Sequence, residues 1–118
     1  VSVGSPLDPY FTALDAGDVD ATTAAFADDA LYIRPSLEVP GTLEIARGRE
    51  ELHEFFRNRG KRPFRHEVRA CAVAGRDAFV EGVATEDGRE LNSFLVHAVL
   101  DEHGLITRYF ALMAQAPS

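Results

Sequence analysis

The side chains in this sequence best able to move a proton or hold an oxyanion are the phenols of Tyr10, Tyr32 and Tyr109, the guanidinium of Arg34 and the imidazoles of His66 and His97. Phenols and guanidinium groups donate to developing negative charge, and an imidazole is the cheapest general base at neutral pH. Tyr32 and Arg34 share one face of a short predicted strand, because strand side chains alternate with period two. A guanidinium on a cavity wall is costly unless an anion meets it. Glu38 or Glu44 could supply that anion from within the chain; a substrate carboxylate or enolate is the functional alternative. In RHEVRACAV, His66 is in phase with Val68, Ala70 and Ala72. It enters the interior if that apolar set does, and is otherwise a structural or exposed histidine. Asn92 shares the phase of Val96 and could donate to a carbonyl, or simply end a strand beside a turn. Tyr109 is in phase with Ala111 and Met113, which would put a phenol and a thioether on one wall.

The elements that must position these groups are legible from punctuation and periodicity. Asp8-Pro9 reads as an N-cap followed by proline at the first helical position. Leu7, Tyr10, Phe11 and Leu14 fall on one helical face, and Gly17 stops the helix. Asp18 caps a second helix, with Val19, Thr22, Thr23 and Phe26 inward, ending near Asp28-Asp29. A short strand, Leu31–Arg34, is stopped by Pro35. A third helix runs from about Gly48 to Arg57 and buries Leu52, Phe55 and Phe56. Phe64–Ala74, Asp77–Thr85, Leu91–Leu100 and Leu105–Met113 read as strands joined at Gly75-Arg76, Asp87-Gly88 and Asp101–Gly104. The order ααβαββββ predicts an α+β fold with a curved antiparallel sheet around three helices. The segment 36–47, with a proline and a glycine inside it, reads as a lid or rim, or as a surface excursion.

Bulk properties bound the function. At 118 residues, 46 % apolar and 26 % charged, the chain reads as one globular domain, 1–118. A net charge of −7 argues against nucleic acid or an anionic membrane as partner. The basic cluster from Arg57 to Arg65 reads as a solvated turn. Cys71 is the single cysteine, so no intrachain disulfide or thiolate metal site forms, and it reads as a small buried hydrophobe. No His/Asp/Glu spacing suggests a metal and no glycine-rich loop suggests a nucleotide, so no cofactor is expected. No apolar run reaches spanning length and Val1–Ser5 is too short for a signal peptide, which makes the cytosol the simplest compartment.

The stretch YFTALDAGDVDATTAAFADDALYIRP, Tyr10 to Pro35, resembles the opening of the nuclear transport factor 2-like superfamily. That group includes ketosteroid isomerases, SnoaL-like polyketide cyclases and limonene epoxide hydrolases. GREELHEFF (Gly48–Phe56) looks like its third helix and LDEHGLITRYFALM (Leu100–Met113) like its closing hairpin. These are signals of architecture rather than chemistry. The resemblance implies a cone-shaped sheet enclosing a pocket. It also implies roles that this chain departs from. Tyr10 falls at the isomerases' tyrosine. Their aspartate base corresponds to Arg34, which cannot abstract a proton. Their oxyanion aspartate corresponds to Val96. The last-strand carboxylate of the cyclases corresponds to Ala111, and the epoxide hydrolases' middle-strand arginine and aspartate correspond to Gly82 and Ala84. The familiar catalytic carboxylates are therefore missing.

One register choice stays open. If the strand Leu91–Leu100 is a residue short relative to the isomerases, His97 rather than Val96 faces the pocket. LDEHG favours Val96, and a tight Asp-Gly turn favours His97. The reading that follows is a SnoaL-like pocket protein for a small organic ligand, acidic or polyketide-like. As an enzyme it would run a cofactor-free isomerisation, cyclisation or lyase step, with Arg34 and Tyr10 on the oxyanion and His66 or His97 as base. Tyr32, Asn92, Tyr109 and Met113 would line the ligand site. The alternative is a non-catalytic ligand-binding or scaffold protein. A homodimer is expected through an outer sheet face carrying Leu95, Val99, Arg108 and Phe110.

Overall fold

The computed structural model describes residues 2–36 and 38–115; Val1 and Leu37, which fall in two of the segments discussed above, lie outside them. Helix α1 (Asp8–Ala16) carries Pro9 in its first turn and buries Tyr10, Phe11, Ala13 and Leu14. Asp8 sits inside that turn rather than capping it, and its carboxylate accepts from the Ser5 amide and hydroxyl, both at 3.1 Å. Gly17 ends the helix in the left-handed region, φ 73°, where other residues are strained. Asp18 caps α2 (Val19–Ala24) as expected, accepting from the Ala21 amide at 3.0 Å.

That second helix is shorter than its predicted end at Asp28-Asp29. The hydroxyls of Thr22 and Thr23 donate back to the carbonyls of Asp18 and Val19, at 2.6 and 2.8 Å. Such back-bonding, with two β-branched residues in a row, weakens a helix. The chain turns instead into β1 (Phe26–Pro35), whose first residue, Phe26, is fully buried. Strand β2 (Leu43–Arg47) follows, and the expected lid is this strand and its hairpin turn: Ile33 pairs with Ile45 and Arg34 with Glu44. The alternation Leu43, Ile45 against Glu44, Ala46 is a strand period hidden by the short run after Pro40-Gly41. Helix α3 (Gly48–Arg59) packs on both strands, with Glu50 and Glu51 in its first turn and Arg57 and Arg59 in its last, matching the helix dipole.

Strands β3 (Arg65–Ala74), β4 (Asp77–Glu86), β5 (Arg89–Leu100) and β6 (Ile106–Gln115) complete one curved, unclosed sheet in the order β2-β1-β6-β5-β4-β3. The observed order is ααββαββββ, one strand more than predicted. β1 runs parallel to β6 and the remaining neighbours are antiparallel, so the sheet is mixed. The helices cover its inner face. Leu7, Tyr10, Phe11, Phe26, Leu52, Phe56, Val80 and Val96 form the core there, each large side chain worth about 1.5–3 kcal/mol of burial.

β3 bulges between Val68 and Ala70, where two residues span one step of β4. The bulge inverts the phase expected for this strand: Val68 points inward, Ala70 and Ala72 are exposed, and Cys71 packs against the core. His66 lies before the bulge and keeps its inward direction. Opposite, Gly82 presses on β3 so closely that a Cβ would stand 2.4 Å from the Glu67 carbonyl and 2.5 Å from the Phe94 ring. No side chain fits there, which accounts for the glycine.

Candidate functional site

The inner face and the helices leave a small cavity of about 120 Å³. Its polar wall holds Tyr10, Tyr32, Tyr109, Arg34, His66 and Asn92, with Arg59 and Arg62 toward the rim. Leu14, Phe64, Phe94, Ala111 and Met113 supply the apolar remainder. An aromatic cluster fills the space behind: Tyr32 and Tyr109 stack at 4.8 Å and 7°, and Tyr10 meets Phe26 edge-on at 5.4 Å. Such packing leaves no room for a steroid-sized ligand.

Seven of the eight residues singled out from sequence meet at this cavity, and His97 does not. Val96 is buried on the inner face opposite Ala111, which settles the open register. His97 points outward, stacks on Phe79 at 4.7 Å and bonds Asp77 through Nε2 at 2.7 Å. The turn at Asp87-Gly88 is tight, with both residues at positive φ, and a register shift follows it: Ala84 pairs with Asn92 and Thr85 with Glu90, so Leu91 is an extra residue that sets the phase of Val96.

The phenols are neutral donors. Burial pushes Tyr10 and Tyr109 well above the ordinary tyrosine value, and neighbouring phenols add to the rise at Tyr10. Tyr32 is raised less, because burial is partly offset by Arg34 beside it. Tyr10 and Tyr32 share a hydrogen bond of 3.2 Å. Arg34 is mostly buried over the Phe55 ring, 4.9 Å from its centroid. It does find Glu44, one of the two in-chain partners considered above, but only through one Nη2–Oε1 contact of 3.5 Å. Its Nε is buried with no partner. A single contact at the limit of hydrogen bonding does not lock a guanidinium that prefers bidentate partners.

His66 has a partner that the sequence reading passed over. Its Nδ1 lies 2.6 Å from the Asp15 carboxylate, whose second oxygen accepts the His66 amide at 2.9 Å. The ring is clamped on Phe11 at 5.2 Å and edge-on to Phe94 at 5.5 Å. With Nδ1–H donated to Asp15, the lone pair of the neutral ring falls on Nε2. A carboxylate holding an imidazole in this way fixes the ring's orientation and tautomer. Asp15 was findable: it stands four residues after Phe11, a charge on the apolar stripe of α1. Arg59 gives the same signal, four residues after Phe55 on α3. The expected solvated cluster from Arg57 to Arg65 is therefore divided, with Arg57 and Lys61 outward and Arg59 half-buried at the cavity.

A family model described as SnoaL-like domain matches residues 7–109. The chain belongs to the SnoaL-like domain family. Solved structures agree on the SnoaL-like fold. An NTF-2 like protein of unknown function from Burkholderia xenovorans LB400 superposes with a TM-score of 0.73 at 21 % identity, covering 96 % of this chain and 83 % of that one. A candidate ketosteroid isomerase from Kribbella flavida DSM 17836 gives 0.71 at 22 %, covering 96 % and 78 %. A candidate isomerase of the SnoaL-like family from Agrobacterium tumefaciens C58 gives 0.73 at 14 %, covering 92 % and 94 %. At these identities the likeness is one of fold alone. No curated protein matches the sequence. Among the described residues of this SnoaL-like chain, no group of His, Cys, Asp and Glu converges to hold a metal ion, and no helix is long and apolar enough to cross a membrane.

Proposed function

We propose that the cavity binds a small acidic organic molecule and that the chain catalyses a cofactor-free proton transfer on it: an isomerisation, cyclisation or lyase step through an enolate-like state. The observation that carries this reading is that His66, held by Asp15, and Arg34 line one small cavity. His66 Nε2 takes the proton. Arg34 and the neutral phenols of Tyr10 and Tyr32 donate to the oxyanion that forms, and Asn92 fixes a carbonyl. Asp15 is a positioning residue, holding the imidazole's tautomer and stabilising the imidazolium. The buried, unpartnered Nε of Arg34 favours an acidic ligand over a neutral one, because an unmet buried donor costs about 1–3 kcal/mol or more when charged.

The test is calorimetric titration with small carboxylic acids and phenols against neutral isosteres, repeated on Arg34→Met. Acids should bind more tightly, and the preference should vanish in the variant. Equal binding of acids and neutral compounds would remove the reading.

We infer that the working form is a symmetric dimer built on the outer sheet face. Ala72, Phe79, His97, Phe110, Ile33 and Ile45 lie in register as one row across all six strands. Phe79, Leu95 and Leu112 are about half exposed there, and an apolar depression of about 410 Å³ lies between them. Asp77 and Glu81 flank the row on β4 and Arg108 on β6. A two-fold axis along the strands sets acid against base, so the face suits a second copy of itself. A monomer mass in light scattering at tens of micromolar concentration, a working range of about 10–100 μM, would contradict this.

A further inference from the structure

The cavity carries more positive charge than one acidic group can meet. Arg34, Arg59 and Arg62 border it, and none of its lining residues is a carboxylate. The acids in contact with its residues are committed: Asp15, which also borders a surface depression with Arg62, holds His66 by two contacts, and Glu44 touches Arg34 from the sheet edge. Among the described residues, the Arg59 side chain donates to the Gly60 carbonyl at 3.2 Å, lies 5.7 Å from the Phe64 ring centroid and is near the Tyr10 and Tyr32 phenols, and neither Arg59 nor Arg62 has an ion-pair partner. Burial is the main influence holding Arg59 below the ordinary arginine value; the Tyr10 and Tyr32 phenols act the other way, and Arg34 and Arg62 add like-charge repulsion. Three guanidinium groups gathered on one cavity of a chain with net charge −7 are a local inversion of sign.

The cations come from separate elements. Arg34 ends the inner phase of β1, whereas Arg59 and Arg62 bracket the end of α3. A single carboxylate forks onto one guanidinium, so two separately held cationic positions call for two anionic groups. The space between is bounded: a cavity near 150 Å³ accommodates about one benzene ring, and this one is slightly smaller.

We propose that the ligand is a compact dicarboxylic acid with a skeleton no larger than a benzene ring, one carboxylate on Arg34 and the other on Arg59 and Arg62. This rests on the acidic-ligand reading above and deepens it. Leu14, Phe94 and Met113 cover the skeleton, and His66 faces a carbon adjacent to the Arg34-bound group. The competing role for Arg59 is a cation that merely complements the C-terminal dipole of α3.

The experiment is isothermal titration of succinate, glutarate and phthalate, each beside its monomethyl ester, on the intact protein and on Arg34→Met, Arg59→Met and Arg62→Met. The best diacid should bind about tenfold to a hundredfold more tightly than its half-ester, the gain of one charge-assisted contact. Arg59→Met should collapse that ratio toward unity while leaving half-ester binding intact, and Arg34→Met should weaken both. Arg62 is exposed, so Arg62→Met should fold as the intact protein does; it should lower the ratio part of the way. Diacids no tighter than half-esters, or an Arg59→Met variant with lower Tm but an unchanged ratio, would overturn the two-anion proposal and leave the Arg34 reading standing. No binding of any acid would overturn both.

Discussion

Two histidine–aspartate pairs sit on opposite faces of the same sheet, His66–Asp15 inside and His97–Asp77 outside, at nearly equal distances of 2.6 and 2.7 Å. Their surroundings differ. The inner side chains are 13 % and 17 % exposed, the outer 34 % and 46 %. Asp15 takes Nδ1 and the backbone amide, leaving Nε2 for the cavity beside three phenols and Arg34. Asp77 takes Nε2, and the His97 ring lies flat on Phe79 among apolar neighbours. The same two residue types therefore make a buried, doubly held pair on one face and a half-exposed pair on the other, and the proposed function uses only the first as a base. What separates them is the fixed second contact, the burial and the company of donors.

The largest expected contrast between the faces is in stability. Phe26→Ala on the inner face should cost about 3–5 kcal/mol, because a fully buried ring is removed from the aromatic cluster. Leu112→Ala on the outer face should change the stability of the isolated protomer by no more than about 0.5 kcal/mol, while lowering the proportion of dimer. Urea denaturation at low and high protein concentration distinguishes the two effects.

The next contrast concerns the carboxylates. Asp15→Asn should destabilise by about 2–3 kcal/mol, since a mostly buried charge-assisted pair is lost. Asp77→Asn should stay within about 1 kcal/mol, as exposed pairs do. Equal losses would mean that the two pairs are not distinguished by burial.

The smallest effect is alkaline. The unfolded chain releases phenol protons near the ordinary value of 10.0, whereas native Tyr10 and Tyr109 keep theirs to higher pH. Above that value the native state binds more protons than the unfolded one, so stability falls as pH rises. Below it the contribution is fully present. Tyr109→Phe should flatten the fall in Tm between about pH 9 and 11.

Most of the fold was legible because its signals are local. Gly17, Asp18 and the hairpin glycines mark boundaries, and the apolar phases of α1, β5 and β6 place Tyr10, Asn92 and Tyr109 on one side. What the sequence hid is non-local. The bulge in β3 lies against Gly82 of β4, and no periodicity within RHEVRACAV announces it. β2 is too short to outvote Pro40 and Gly41. Of the site, Tyr10, Tyr32, Arg34 and His66 were found by phase. Asp15 was missed because its partner lies 51 residues away, and Arg59 because its neighbours Arg57 and Lys61 disguise it as part of a solvated run.

The central claim is that the inner pair acts as a base and the outer pair does not. Once titration has identified an acid that binds, its α-hydrogen exchange can be followed by proton NMR in D₂O with the intact protein, His66→Gln and His97→Gln. Exchange catalysed by the intact protein should fall about a hundredfold or more in His66→Gln, the usual worth of a positioned base, and persist in His97→Gln. Exchange that survives the loss of His66, or that is lost with His97, would contradict the account.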